Sequence, residues 1–357
     1  MEKQRSFLTL DALRGVAAIA VIMAHTAALL GFVAPRPYLA VDFFFMLSGF
    51  VLTFAYQEQL DAGWSSFAFF KTRIARLYPL YILGLTLGAL FIIPQDRMRY
   101  GQFSGLMEAA LLLLGIFFLP APFDLAGRQD AFPFNAPSWS LFFEIIGNIV
   151  HAMLLRRRSF RFLVVATALF GLLFLYSAEK MDSVFIGVRH SEILVGLSRM
   201  LFSYTMGILL FRVWQTGKMR VSISPFLCAL LLLVALLVPL PGAFRLRTDL
   251  SVIFLFFPVL LFVSANSQPP PQLNGLFRGL GISSYAVYVL HVPIGMYFEH
   301  VWNLIRPGQM AHDAPWPGIV FIALILAIAP LVDRVYDQPA RAFLRRKLLG
   351  GRKREIS

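Results

Sequence analysis

The stretch LDALRGVAAIAVIMAHTAALL, Leu10 to Leu30, is an apolar run that carries an arginine near its start and a histidine further along. A hydrocarbon layer of about 30 Å requires roughly 20 helical residues, so a run of this length predicts a membrane-spanning helix. Charged and titratable side chains are costly at such depth unless they are paired or hydrated. Arg14 and His25 therefore indicate that this helix faces a polar interior as well as lipid.

The composition of the whole chain predicts the same environment. Of its 357 residues 58% are hydrophobic and only 14% are charged, far outside the range of soluble globular proteins, which predicts an integral membrane protein. The net charge of +13 comes from short basic clusters between apolar runs, a pattern typical of cytoplasmic loops, so nucleic acid is not expected as a partner. The single cysteine, Cys228, lies in a plain apolar run. This argues against disulfides and a cysteine nucleophile, and no metal site is predicted.

Eleven apolar runs are candidates for membrane segments. They lie near residues 9–31, 38–56, 76–94, 105–121, 138–155, 161–177, 197–214, 223–240, 248–265, 280–298 and 316–334. If all eleven crossed the bilayer, the basic clusters at 156–158 and 218–220 and the basic C-terminal tail would face outward while the N-terminus faced inward. Treating the run at 105–121 as re-entrant or interfacial returns every basic cluster to the cytoplasm, and Gly115, Pro120 and Pro122 interrupt or bound this run.

These features predict an all-α polytopic membrane protein with about ten transmembrane helices plus one re-entrant or interfacial segment. We expect a single transmembrane domain over residues 1–357, with a short cytoplasmic basic tail at about 340–357. Both termini are expected in the cytoplasm.

Helix geometry gives the depth of the polar side chains within this topology. His25 follows Arg14 by eleven residues, which is about 16 Å along a helix. The outer half of the bilayer is predicted to hold four titratable side chains: His25, Asp42, Glu144 and His291. The cytoplasmic face is predicted to gather four basic ones: Arg14, Lys71, Arg73 and Arg76. Because an isolated charge at such depth is costly, the two groups predict the opposite ends of one polar channel.

Each of these residues also has a purely structural interpretation. The alternatives are snorkelling to the headgroups for Arg14, packing against a backbone carbonyl for His25, helix capping for Asp42, filling of the Pro293 kink for His291, and control of topology for Arg73 and Arg76. A purely structural membrane protein would not need a titratable cluster at one depth.

Six sequence features follow one another along the chain in the order typical of one known family. They are Arg14 and His25 separated by ten residues, VDFFFMLSGF at 41–50, KTRIARLYPLY at 71–81, SWSLFFE at 138–144, ISSYAVYVLH at 282–291 and YDQPARAFLRR at 336–346. Across nearly its whole length the chain thus resembles the acyltransferase-3 family of membrane-bound sugar O-acyltransferases, in its stand-alone members without a C-terminal extracytoplasmic domain. The resemblance implies transfer of an acyl group, most often acetyl, from cytoplasmic acyl-CoA to a hydroxyl of a carbohydrate or related acceptor.

This chemistry requires a base, because an alcohol attacks a thioester poorly until its proton is removed. His25 is the predicted general base, since an imidazole has a pKa near neutrality. A carboxylate would set the tautomer of its other ring nitrogen, and Asp42 and Glu144 both remain candidates for that role. His291 is placed among the substrate-binding residues.

The donor is expected at the cytoplasmic mouth of the channel. Arg14, Arg73 and Arg76 are predicted to bind the phosphates of acyl-CoA, because guanidinium groups fit phosphate oxygens. Ser48 has three interpretations, namely orientation of the acceptor, acylation as an intermediate, or tight helix packing with Gly49. The donors to the oxyanion are left open among Ser138, Trp139, Tyr285 and a backbone N–H.

The sequence therefore predicts an acyl-CoA-dependent membrane O-acyltransferase whose partners are acyl-CoA, a carbohydrate or glycolipid acceptor, and the lipid bilayer. No permanently bound cofactor is expected, and the expected location is the bacterial inner membrane. A proton-coupled secondary transporter is the alternative, because such proteins also use intramembrane histidines and acids. Transporters usually show repeated halves, and none is evident in this sequence.

Overall fold

The computed structural model describes residues 7–100, 105–122, 129–239 and 242–350. Within these ranges the chain is helical, contains no β-strand, and has one isolated antiparallel bridge between Asp130 and Arg189. The all-α prediction is confirmed. The basic residues before position 7 and after position 350, which entered the topology prediction, lie outside the described residues.

Fifteen α-helices follow one another through the described ranges. They are α1 (Leu8–His25), α2 (Ala27–Leu30), α3 (Ala40–Asp61), α4 (Ser66–Tyr100), α5 (Gly105–Ile116), α6 (Ser138–Val150), α7 (Phe160–Met181), α8 (Ile193–Gln215), α9 (Pro225–Leu237), α10 (Arg245–Ser251), α11 (Phe257–Asn266), α12 (Asn274–Ile305), α13 (Met310–Asp313), α14 (Trp316–Val332) and α15 (Gln338–Leu349). Single π-helical turns extend α6 (His151–Leu155), join α10 to α11 (Val252–Phe256) and join α14 to α15 (Asp333–Asp337).

Length separates the helices that can cross a bilayer from those that cannot. In the described part of the chain, nine helical segments are long and apolar enough to span, which confirms the polytopic class. The helices α5 and α9 have 12 and 13 residues. At 1.5 Å per residue they are about 18–20 Å long, short of the hydrocarbon core. The expected non-spanning segment at 105–121 agrees with α5, whereas the expected span at 223–240 forms a shorter helix.

The first helix ends sooner than the apolar run that encodes it. The run extends to residue 31, but α1 stops at His25 and the chain turns at Thr26, whose hydroxyl donates to the Ile22 carbonyl at 2.9 Å. His25 therefore lies in the last turn of α1 and not well inside a span.

Two long helix pairs, α1 with α12 and α3 with α8, form the centre of the bundle. The close approach of α3 and α8 depends on glycine. A Cβ atom added to Gly49 would lie 2.1 Å from the carbonyl oxygen of Tyr204, and one added to Gly207 would lie 2.0 Å from that of Met46. The two backbones are therefore in contact, as is common where small residues line membrane helix interfaces.

We expect Gly49→Ala to destabilise the protein by about 1–3 kcal/mol, because the new methyl group meets backbone atoms that move only with the whole of α8. Gly275→Ala is the matched control, since a Cβ at Gly275 meets nothing within 4 Å. Thermal unfolding of both variants in detergent measures the difference. Equal unfolding midpoints would contradict the contact between α3 and α8.

The chain segment before α6 enters the bundle. We call residues 129–137 the inserted segment, of which residues 131–135 are all buried. A Cβ atom on Gly88 of α4 would lie 1.7 Å from the Phe134 carbonyl oxygen, so the segment presses directly on α4. On its other side, Asn135 donates from Nδ2 to the Val289 carbonyl of α12 at 3.1 Å. The inserted segment thus fills the space between α4 and α12.

Asn135 replaces a hydrogen bond that Pro293 removes. Proline has no backbone N–H, so the carbonyl four residues earlier, that of Val289, loses its helical donor. An unpaired carbonyl is costly inside a membrane protein, and the Asn135 amide supplies the donor. His291 does not supply this donor, because Nδ1 of its ring bonds to the Val287 carbonyl.

Candidate active site

Two imidazole rings meet where α1 and α12 run side by side. Nδ1 of His25 lies 3.2 Å from Nε2 of His291, and the ring centroids are 4.9 Å apart. His291 is buried, with 1% of its surface exposed, whereas His25 is exposed. One ring of the pair is therefore fixed in the interior and the other reaches the surface of the protein.

The hydrogen bonds of this pair determine which nitrogen of His25 is basic. A carbonyl oxygen only accepts, so Nδ1 of His291 donates to the Val287 carbonyl at 3.1 Å, and Nε2 of the neutral ring is an acceptor. Nδ1 of His25 then carries a proton that it shares between His291 Nε2 and the Val21 carbonyl, 3.0 Å away. In neutral His25, Nε2 is consequently unprotonated and able to take a proton.

Arg14 lies eleven residues before His25 on α1 and is anchored to α12. Its Nε donates to the Ser284 hydroxyl at 2.8 Å, and its Nη2 donates to the Gly281 carbonyl at 2.6 Å. The Asp11 carboxylate lies 3.4 Å from the same Nη2. These contacts hold the guanidinium between two helices, so Arg14 does not simply snorkel towards the headgroups.

A second group of cations lies where α4 meets the π-helical turn before α15. Arg76 lies over the ring of Tyr285, 5.2 Å from its centroid, and 3.6 Å from the Asp337 carboxylate. Arg341 bonds to the same carboxylate at 2.5 Å. Arg14 bonds to Ser284, the residue before Tyr285 on α12, and therefore lies near Arg76. The structure therefore gathers Arg14 and Arg76, as the sequence predicts, and adds Arg341.

The sequence predicts Arg73 and Glu144 at opposite ends of the channel, but the structure pairs them. Arg73 Nη2 donates to Glu144 Oε1 at 2.8 Å, and the Ser48 hydroxyl donates to the same oxygen at 3.1 Å. The placement of Glu144 beside His25 is therefore wrong. Gly49, next to Ser48, packs on α8 as one of the three interpretations expects.

Among the described residues, the Glu144 carboxylate bonds to Arg73 and Ser48 and to neither histidine ring. One turn earlier on α6, the Ser140 hydroxyl bonds to the hydroxyl of Tyr288, three residues before His291, so Glu144 lies one turn of α6 beyond that contact. The inserted segment is the physical reason: it precedes α6 inside the bundle, so Glu144 lies at a different level from the one that a helix starting at the membrane surface would give it.

Asp42 is held by Arg199 of α8. Its two oxygens accept from Arg199 Nε at 2.9 Å and Nη2 at 2.6 Å, and both side chains are 0% exposed. The same guanidinium lies 5.5 Å from the centroid of Trp139. In the described part of the chain, the ring of His25 bonds to Val21 and His291 and not to Asp42. The prediction that Asp42 orients His25 is therefore also wrong.

The three side chains considered for the oxyanion lie in different surroundings. The Tyr285 hydroxyl donates to the Leu77 carbonyl at 2.5 Å, and Trp139 flanks Arg199. The buried hydroxyl of Ser138 has no hydrogen-bond partner among the described residues. Their roles stay predictions.

Sequence reasoning missed four charged residues of these clusters: Arg199, Asp333, Asp337 and Arg341. The signal for Arg199 was present, because a charged residue in the apolar run at 197–214 implies a partner or a function. The other three lie at the end of the last spanning segment, in and just before the motif YDQPARAFLRR. Arg341 also bonds to Asp333.

The fold and these clusters define a polytopic membrane protein with a titratable site inside its bundle. Residues 7–332 match the model of a family described as an acyltransferase domain. The chain belongs to this family, acyltransferase-3, and is a membrane acyltransferase.

Two curated bacterial proteins are similar to the chain. One is named protein 2 in picA locus, from Rhizobium radiobacter, and is 38% identical over 184 residues, which is 49% of this chain and 95% of that protein. The other, acyltransferase MdmB from Streptomyces mycarofaciens, is 24% identical over 342 residues, 87% of this chain and 82% of that protein. No solved structure shows a significant match.

Proposed function

We propose that this chain transfers an acyl group, most often acetyl, from cytoplasmic acyl-CoA to a hydroxyl of a carbohydrate or glycolipid acceptor at the membrane. The observation that carries the proposal is the His25–His291 pair, because it leaves an accessible imidazole with a basic Nε2. Membership of an acyltransferase family supports the reaction type.

In the proposed reaction, Nε2 of His25 removes the proton of the acceptor hydroxyl as its oxygen attacks the thioester carbon. A C–O bond forms, the C–S bond breaks with its electron pair on sulfur, and the sulfur takes the proton back from the imidazolium. His291 Nε2 accepts a hydrogen bond from Nδ1 of that imidazolium, 3.2 Å away. His291 thus takes the orienting role that the sequence reasoning gives to a carboxylate.

The donor phosphates would bind at the cluster of Arg14, Arg76 and Arg341, because planar guanidinium groups fit phosphate oxygens. These phosphates would compete with Asp337, which both Arg76 and Arg341 contact. The pantetheine arm would then extend along α1 for the distance from Arg14 to His25, about 16 Å.

The proposed location is the bacterial inner membrane, with both termini in the cytoplasm. This orientation needs an even number of crossings, so the short helix α9 is proposed to complete a tenth crossing beside the nine longer segments. The basic last turn of α15, with Arg346 and Lys347, supports this orientation by the rule that cytoplasmic segments carry positive charge. His25 then lies towards the extracytoplasmic end of α1 and the arginine cluster towards the cytoplasm.

Membranes that contain the protein, incubated with acyl-labelled acetyl-CoA, test the proposal. We expect label to enter the membrane glycan fraction and free CoA to appear in equal amount. Membranes from the same strain without the gene are the control. Substrate flux that proceeds without CoA would indicate a transporter instead.

A further inference from the structure

A groove on the outside of the bundle borders the proposed donor path, since its lining includes Ser284, which bonds to Arg14, and Val287, whose carbonyl bonds to His291. It lies between α1, α12 and α14 and has a volume of about 320 Å³. Its walls are apolar or small side chains, which include Gly15, Ile19, Leu276, Gly279, Ser283 and Leu326. Gly279 and Leu326 are exposed, so the groove opens on the surface that faces lipid in a membrane-spanning protein.

Two glycines shape this groove, Gly15 on α1 and Gly279 on α12. A Cβ at Gly15 would lie 2.8 Å from the Leu280 carbonyl oxygen, so α1 approaches the backbone of α12 there. A Cβ at Gly279 would meet nothing within 4 Å, so the missing side chain leaves open space on the lipid side.

The dimensions of the groove fit one hydrocarbon chain. Its lining on α12 extends from Leu276 to Val287, eleven residues and about 16 Å. Its volume is about twice that of the ~150 Å³ cavities that hold one benzene ring, which is room for roughly a dozen carbon atoms. A long and narrow apolar groove suits an acyl chain better than a compact ring system.

One end of the groove carries a positive charge. Leu326 and Pro330 lie four residues apart on one face of α14, and Arg334 follows four residues later in the π-helical turn that continues this helix. Leu326 and Pro330 line the groove, and Arg334 is exposed one turn beyond it. The arginine is therefore placed where the phosphate of a lipid would lie when its chain fills the groove.

We propose that this groove binds one acyl chain of an anionic glycerophospholipid, with Arg334 at its phosphate. The lipid belongs to the leaflet at the Arg334 end, which the charge pattern predicts to be cytoplasmic. Neither histidine of the pair lines the groove, so lipid binding there can be measured without acyl transfer.

Two glycine variants on the same helix test the site. Gly279→Leu fills the groove and Gly275→Leu does not, yet a Cβ at either position meets nothing within 4 Å, so both variants are expected to fold. The protein is placed in nanodiscs of phosphatidylglycerol and phosphatidylcholine, extracted in detergent, washed and examined by native mass spectrometry. We expect the parent and Gly275→Leu to retain phosphatidylglycerol, and Gly279→Leu to retain about tenfold less, since the lost burial of two methylene groups is enough for that.

The headgroup is tested separately by Arg334→Gln, which is expected to abolish the preference for phosphatidylglycerol over phosphatidylcholine. Equal retention by Gly279→Leu and the parent would overturn the proposal, as would equal loss in both glycine variants or no lipid preference in the parent. Displacement of the retained lipid by long-chain acyl-CoA would assign the groove to a donor chain and would also overturn it. Failure to detect acyl transfer would leave these lipid measurements unchanged and would count against the proposed function alone.

Discussion

Replacement of His25 by glutamine is expected to lower the rate of acyl transfer by about 10²–10⁴-fold, the usual contribution of a positioned acid or base. Glutamine keeps a polar side chain at the end of α1, but its amide accepts no proton near neutral pH. The imidazole pair shows why the loss is large: Nε2 of His25 is the nitrogen that its two neighbours leave without a proton. Transfer of label from acetyl-CoA to membrane glycan measures the rate, with the amount of folded protein set equal.

His312→Gln is the control for this variant, because His312 lies outside the site and 81% of its side chain is exposed. It is expected to keep the parental rate. His291→Gln is expected to fall between the two, since it leaves the base in place and removes only the acceptor for its Nδ1 proton. A parental rate for His25→Gln would remove His25 from the role of general base.

Replacement of Arg199 by alanine is expected to destabilise the protein by about 3–5 kcal/mol, because it leaves the Asp42 carboxylate buried without its partner. Both side chains are 0% exposed, and Arg199 donates to both oxygens of the carboxylate. Arg199→Lys is expected to restore little of the loss, since a lysine cannot make the bidentate contact. Thermal unfolding in detergent measures the effect.

The double variant Arg199→Met with Asp42→Leu is expected to be clearly more stable than Arg199→Ala alone, because it removes both buried charges together. Arg306→Ala serves as the control for loss of an ion pair in general. Its partner is Asp313, half of the Arg306 side chain is exposed, and little change in stability is expected. If Arg199→Ala unfolds at the same temperature as this control, the buried pair contributes nothing to the fold.

The sequence predicted the helical class well, because each spanning helix needs a long apolar run and leaves a local signal. It also predicts that the run containing α5 does not span, because an eleventh crossing would place basic loops outside the cytoplasm. The short length of α5 agrees with this prediction. The end of α1 was harder to place. The run continues in apolar residues past Thr26, and the turn there depends on contacts that composition does not encode.

The sequence predicts the site only in part, because an apolar run gives depth along its own helix and not the level at which that helix begins. In α1 the sequence gives the spacing of Arg14 and His25 directly. In α6 it gives the wrong level, since the inserted segment precedes the helix inside the bundle. Glu144 consequently lies beside Arg73, and the partner of His25 is a second histidine.

The proline of α12 fixes the register between two distant parts of the chain. In the described part of the chain, the Val289 carbonyl takes a hydrogen bond from the Asn135 amide of the inserted segment. A shift of α12 by a single residue would leave both groups unmatched. The hydrogen bond that Pro293 leaves unmade thereby ties the stretch of α12 that carries His291 to the inserted segment.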